Sequence, residues 1–238
     1  RTYSETEIMD FELKSLTPQQ AADLAVDAVL VLVPDTLPAF KGQAASALTD
    51  LARDAIARGD LEEGVGKTLV CYRPAGVKAP RVVLVRAGDA SPSAVRKAVT
   101  TGVGSLKQPQ VRKLGLVLGL LSDSDAVVQA AVGAVAEATY VYTHTKPSAK
   151  ARGLQKVIVG VAKADKVRDG FATGKALVAG VELAKEWANR PANHATPSML
   201  ADVARALGKR PRMKAEILGP KEVALSLIHI SEPTRPLY

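Results

Sequence analysis

The sequence predicts an α/β protein, built on a mixed, mostly parallel sheet with helices on both faces. Three observations carry that expectation. Short apolar runs rich in Val, Leu and Ile recur at Ala28–Val33, Leu114–Leu118 and Val157–Val161, with no polar alternation. Strands covered on both faces read this way. Ala-rich stretches of helical length separate these runs, and strands alternating with helices favour parallel pairing through crossovers. One early pair, Thr68–Tyr72 and Val82–Val85, is joined by a stretch holding Pro74, Gly76 and Pro80. That spacing reads as a hairpin.

The elements follow in order. Ala28–Val33 is the first strand, ended by Pro34. Ala44–Ala57 is a helix carrying Leu48, Leu51 and Ile56, closed by Gly59. After the hairpin, Ser93–Leu106 is helical, with Ser91 or Ser93 near its start and Pro109 beyond its end. Leu114–Leu118 is the next strand. Ser122, Asp123, Ser124 and Asp125 offer N-caps for a helix over Ala126–Tyr140. Val157–Val161 is another buried strand. A long helix then runs from about Gly170 to Ala188, with Leu177, Val181, Ala184 and Ala188 on one face. Gly174 and Gly180 on it would admit a close neighbour. A later helix carries the stripe Leu200, Val203 and Leu207 and stops at Gly208, and Ala215–Leu218 begins one more strand.

Composition narrows the function classes. The chain is 47% hydrophobic and 24% charged, the profile of a globular domain. Aromatics make up 4%, so the core rests on Val, Leu, Ile and Ala. Cys71 is the sole cysteine, which excludes an internal disulfide and suits a reducing compartment. No apolar run approaches the roughly 18 residues of a membrane span, and Arg1–Ile8 has no signal-peptide character. The net charge of +8 favours anionic partners by long-range attraction. Aromatic residues do not interleave with the basic ones, and no nucleic-acid motif is present, so a solvated basic surface is the better account.

Several local patterns suggest chemistry and fail on inspection. Gly64-Val65-Gly66-Lys67-Thr68 ends like a phosphate loop, but Leu61 stands where the first glycine belongs and a strand follows. Gly102-Val103-Gly104 lacks the third glycine of a dinucleotide fingerprint and falls inside a helix, where small residues serve packing. Asp123 and Asp125 begin like a calcium loop, but Ala126, Val127 and Val128 supply no later oxygen ligands, so helix capping is expected. His144, His194 and His229 have no second His or Cys at metal-ligand spacing. Cys71, inside an apolar strand, reads as a small core residue rather than a nucleophile.

The most specific stretch is Asn189-Arg190-Pro191-Ala192-Asn193-His194-Ala195-Thr196-Pro197. Asn189 can end a helix in a left-handed conformation, Pro191 cannot continue one, and Thr196-Pro197 restarts one as N-cap and first helical residue. This Asn-x-Pro-x-Asn-x-x-Thr-Pro pattern after a long Ala-rich helix resembles the entry to the catalytic domain of leucyl (cytosol) aminopeptidases. The resemblance covers most of Met9–Ala224.

What that resemblance implies can be stated by segment. Residues 9–165 would be an amino-terminal, macro-domain-like α/β domain, 166–188 a linking helix, and 189–224 the truncated start of an α/β peptidase domain. Family members are typically cytoplasmic homohexamers that remove amino-terminal residues, often leucine, from peptides. They use two divalent metal ions, zinc or manganese, which activate a bridging water. The metal ligands come from segments resembling Gly-Lys-Gly…Phe-Asp-Ser-Gly-Gly and Asn-Thr-Asp-Ala-Glu-Gly-Arg. Neither occurs here, and the Gly-Lys pairs at Gly66-Lys67, Gly174-Lys175 and Gly208-Lys209 lack that context. No catalytic, cofactor-binding or metal-ligating residue is therefore carried onto this sequence, and the chain is expected to bind no metal and to be inactive. The alternatives are a macro-like module for a nucleotide such as ADP-ribose, or accessory DNA binding, since some family members bind DNA. Both ends read as foreign. Arg1–Ile8 precedes a start-like Met9, and Leu225–Tyr238 resembles a translated sequencing adapter.

Overall fold

β2 (Ala28–Pro34) is the middle of the molecule because neither of its faces meets water. Ala28, Leu30 and Leu32 point into one apolar cluster and Val29, Val31 and Val33 into a second. Burying each such Leu or Val contributes about 1.5–3 kcal/mol. In this computed structural model, which describes residues 9–37, 46–106 and 108–225, five further strands assemble around it. They are β1 (Asp10–Ser15), β3 (Thr68–Tyr72), β4 (Arg81–Gly88), β5 (Lys113–Val117) and β6 (Lys156–Val161). The sheet order is β1-β6-β5-β2-β4-β3. Every neighbouring pair is parallel except β3 and β4, the anticipated hairpin, with Val70 opposite Val83. The α/β class read from the sequence is the class observed.

Helices cover both faces. α1 (Pro18–Ala22) and α2 (Ala47–Ala57) pack over Val29, Val31 and Val33. α3 (Pro92–Gly104) and α4 (Asp125–Thr139) pack over Leu30 and Leu32. Their starts are chemically specified. Ser46 Oγ accepts the Thr49 N–H and Ser91 Oγ accepts the Ala94 N–H, with Pro92 in the first turn. Gly59, at φ +77°, closes α2 as expected. Gly102 of α3 is buried where an added Cβ would lie 2.5 Å from a Leu30 methyl, so its smallness serves packing.

The chain divides into two units, Arg1–Glu186 and Trp187–Tyr238. In the first, α5 (Arg168–Ala188) buries Gly170, Gly174, Val178 and Glu182. The apolar face read from the sequence is turned outward instead, with Leu177 at 50% and Val181 at 49% exposure. The buried face was hidden because two of its residues have no side chain and a third is charged. Gly174 does meet a neighbour, with an added Cβ falling 3.2 Å from Gln129 Cα, whereas Gly180 faces open space. The closest approach is at Gly170, which the sequence reading did not single out.

In the second unit, Pro191–Ala195 forms a tight turn in which the His194 N–H donates to Pro191 O at 2.8 Å. Thr196 then caps α6 (Pro197–Gly208) through Met199 N–H, as anticipated. Asn189 does not adopt the left-handed conformation proposed for it. Gly208 is the last helical residue rather than a left-handed stop, and its lack of a side chain admits Ala215. Ala215–Leu218 forms no strand, and α7 (Pro220–Leu225) follows. A strand exists only by pairing, and no described strand lies in this unit to pair with it. The readings made for Arg1–Ile8, for Ala44, for His229 and for the tail beyond Leu225 lie outside the described residues.

Candidate functional site

Parallel sheets of this kind offer a crevice beyond the carboxyl ends of their strands, where the order reverses. Here the reversal falls at β2, flanked by β4 on one side and β5 on the other. A cavity at that end is lined by Leu16, Ala21, Val31, Leu48, Val117 and Leu120, with Thr17 and Thr49 at its margin. Both threonine hydroxyls are already engaged. Thr17 Oγ1 accepts Gln20 N–H at 3.2 Å, and Thr49 Oγ1 donates to Ser46 O at 2.9 Å. The described lining therefore suits an apolar group, and among the described residues that line it there is neither a cation for phosphate nor a carboxylate for a base.

Arg86 is buried and Arg152 is partly buried. Arg86, at the carboxyl end of β4, donates to Pro34 O through Nη1 at 3.4 Å, and its Nε has no hydrogen-bond partner among the described residues. Arg152 donates to Thr139 O through Nε and pairs with Glu182 of α5 through Nη2. That pair anchors α5 to the segment after α4. It gives up water on both sides, so it fixes geometry more than it adds net stability.

The sequence candidates fall in separate places. Asp123 and Asp125 do not cap α4, whose N-cap Ser124 makes no side-chain cap bond. Asp123 Oδ1 accepts Ala162 N–H and Asp125 Oδ1 accepts Gly170 N–H at 2.8 Å. These carboxylates tie β6 and α5 to the start of α4 by accepting backbone N–H groups. Gly64–Lys67 is a turn into β3, with Gly64 and Gly66 at positive φ and the Gly66 N–H donating to Arg86 O. Cys71 is half-buried on β3, and burial followed by the Asp60 charge pushes its thiol up, away from the reactive thiolate. His144 follows α4 and His194 lies in the connector.

The surface charge cluster that sequence reading missed lies on β1. Lys156 bonds Glu12 at 2.9 Å and Asp10 at 3.2 Å, and Lys14 bonds Glu12 at 3.0 Å. The hydrogen bond from Lys156, then that from Lys14, holds the Glu12 carboxyl below its usual range, and Glu12 in turn raises Lys156. The alternation Phe11/Leu13 against Asp10/Glu12/Lys14 was the available signal for this strand.

A two-metal hydrolytic centre needs a converging set of carboxylate, imidazole or thiolate donors. Among the described residues, no three His, Cys, Asp or Glu side chains converge in this way. The donor set on view does not fit such a centre, so no catalytic step is assigned to it. No described helix is long and apolar enough to cross a membrane.

Comparison with known proteins gives a coherent picture. Residues 28–149 match the family model described as the N-terminal domain of the cytosol aminopeptidase family. A probable cytosol aminopeptidase of Polaromonas naphthalenivorans is 48% identical over 217 residues, covering 90% of this chain and 42% of that protein. The corresponding protein of Acidovorax ebreus is 46% identical over 217 residues, covering 91% and 42%. The chain thus spans about two fifths of the length of these relatives. Among solved structures, a tomato leucine aminopeptidase mutant superposes with a TM-score of 0.65 at 18% identity, covering 87% of this chain and 43% of that one. The bottromycin maturation enzyme BotP in complex with Mn gives 0.55 at 25% identity, covering 77% and 36%.

Proposed function

Because the chain belongs to the cytosol aminopeptidase family, we propose that it is the amino-terminal, non-catalytic part of a metal-dependent leucyl aminopeptidase. The observation that carries this reading is the position of the match. It falls on residues 28–149, runs from β2 to beyond α4, and is to the amino-terminal domain of the family rather than to its peptidase domain. In the complete protein the activity is hydrolysis of amino-terminal residues from peptides in the cytoplasm. Two divalent ions, Mn2+ or Zn2+, supply the activated water there, and a related enzyme solved with Mn supports a metal of that type.

The segments divide the labour. Residues 9–165 are a macro-like α/β scaffold, 166–188 link it onward, and 189–224 begin the peptidase domain. The complete protein assembles as a homohexamer. The macro-like nucleotide-binding alternative is not favoured, since the crevice beyond β2 and β5 offers an apolar lining with its hydroxyls engaged. Accessory DNA binding retains one specific observation, the exposed run Lys209, Arg210, Arg212 and Lys214. A salt-dependent shift of duplex DNA would report it.

Among the described residues no donor cluster could hold the ions that generate a hydrolytic nucleophile, and on this reading the chain is inactive alone. The test is leucyl-anilide hydrolysis by the purified 238-residue chain with added manganese. No turnover above a buffer control is expected, and turnover that follows the protein through purification and disappears with a chelator would sink the proposal.

A further inference from the structure

Among the described residues no strand pairs with the outer side of β1 or of β3, and these two edges are built in opposite ways. β1 carries Asp10, Glu12 and Lys14, cross-linked to each other and to Lys156. Charges of this kind keep an edge from adding another strand. β3 reads Thr68-Leu69-Val70-Cys71-Tyr72. It has no charge and no proline, its pairing with β4 has no register break, and Tyr72 is 66% exposed.

The ladder identifies which backbone groups that edge presents. The Arg73 N–H donates to Pro80 O at 2.9 Å, and the Arg86 N–H donates to Lys67 O at 2.9 Å. Hydrogen-bonded pairs alternate along an antiparallel ladder. Lys67, Leu69, Cys71 and Arg73 therefore face β4, while Thr68, Val70 and Tyr72 direct their N–H and C=O groups away from it. No hydrogen bond to those outward groups comes from any described residue.

We propose that β3 pairs antiparallel with β3 of a second copy of this chain, about a twofold axis at Val70. This register pairs all five residues, whereas any shift that keeps the outward groups facing one another loses pairs. Thr68 lies opposite Tyr72, Leu69 opposite Cys71, and Val70 opposite itself. Each outward residue then both donates and accepts. β-branched and aromatic residues meet across the seam, the pairings that stabilise sheets. The one cationic approach, Lys67 toward Arg73 of the second copy, is offset because Lys67 is held by Glu62 at 2.5 Å. An isologous contact consumes β3 on both copies, and the remaining β1 edges are charged, so assembly through this sheet stops at two. The net charge of +8 per chain opposes association, so added salt strengthens it. This inference stands apart from the aminopeptidase reading, because it uses only the exposed strand.

Sedimentation equilibrium of the full chain from about 1 μM to about 500 μM tests it, with charge swaps read against one another. Thr68→Lys with Tyr72→Lys places like charges opposite each other across the seam and weakens dimerisation about tenfold or more. Thr68→Lys with Tyr72→Glu carries the same number of substitutions but pairs opposite charges, and returns close to the parent. A monomer throughout the range, or a dimer that both variants leave equal, overturns the proposal. Hydrogen exchange on the unmodified chain gives an independent reading. The Val70 and Tyr72 amides slow as protein concentration rises, and concentration-independent exchange overturns it as well.

Discussion

A methyl group at position 170 would collide with main chain. An added Cβ would lie 2.4 Å from Asp125 Cα and 2.5 Å from Asp125 O, atoms that cannot swing aside. The Gly170 N–H also donates to the Asp125 carboxylate, so the two helices are locked by contact and by hydrogen bond at one point. Gly170→Ala is expected to cost about 1–3 kcal/mol, the range for forcing atoms into a packed site. Gly180 lies on the same helix with nothing within 4 Å of an added Cβ. There the substitution removes only glycine's excess freedom in the unfolded chain, and Gly180→Ala is expected to stabilise by about 0.5–1 kcal/mol. Urea denaturation of the two variants reads the difference directly. Shifts of the same sign would mean that α4 and α5 do not cross at Gly170.

At the scale of one element, β1 is held to the sheet partly by charges that acid removes. The Glu12 carboxyl is depressed chiefly by Lys156, so its contribution is present above the ordinary carboxylate range and is lost as pH falls through its own lowered value. Lys156 is raised chiefly by Glu12, so its contribution is present below the ordinary lysine range and is lost as pH climbs through its raised value. The pairing of β1 with β6 is therefore firmest near neutral pH. These side chains are substantially exposed, and salt weakens the effect. Hydrogen exchange corrected for intrinsic rates should show β1 amides losing protection on acidification before those of β2. Glu12→Gln should flatten that acid response, and an unchanged profile would rule out the cluster as its source. The same strand shows what could be read in advance. β2, β5 and β6 were legible because burial on both faces leaves an unbroken apolar run. β1 was passed over because its signal is an alternation of five or six residues beside a methionine that resembled a start. The apolar stripe of α5 was read correctly as a stripe, but packing chose the opposite face, where glycines let backbones approach. No residue count of hydrophobicity reports a close approach. Cys71 and the Gly64–Lys67 turn were legible as structural because the surrounding residues lacked the partners their chemistry would need.

For the whole molecule, the division near residue 187 separates parts of very different internal support. In the unit before it, the strands and helices share two continuous apolar clusters that leave their largest side chains fully buried. In the unit after it, α6 has no buried residue, Met199 and Leu200 stand exposed, and every residue from Lys209 to Lys214 is exposed. Local opening is cheap where few apolar contacts must be broken. Backbone at Lys209, Arg212 and Lys214 should therefore enter a protease readily, while the arginines and lysines of α3 and the sheet require opening of the core. Limited trypsin digestion is expected to cut first within 209–214 and to leave a resistant product containing β1 through β6. That product should keep the thermal transition of the parent, because the clusters that set it lie before residue 187. First cleavage inside 47–186, or a product that melts well below the parent, would show instead that the later residues share the stability of the sheet.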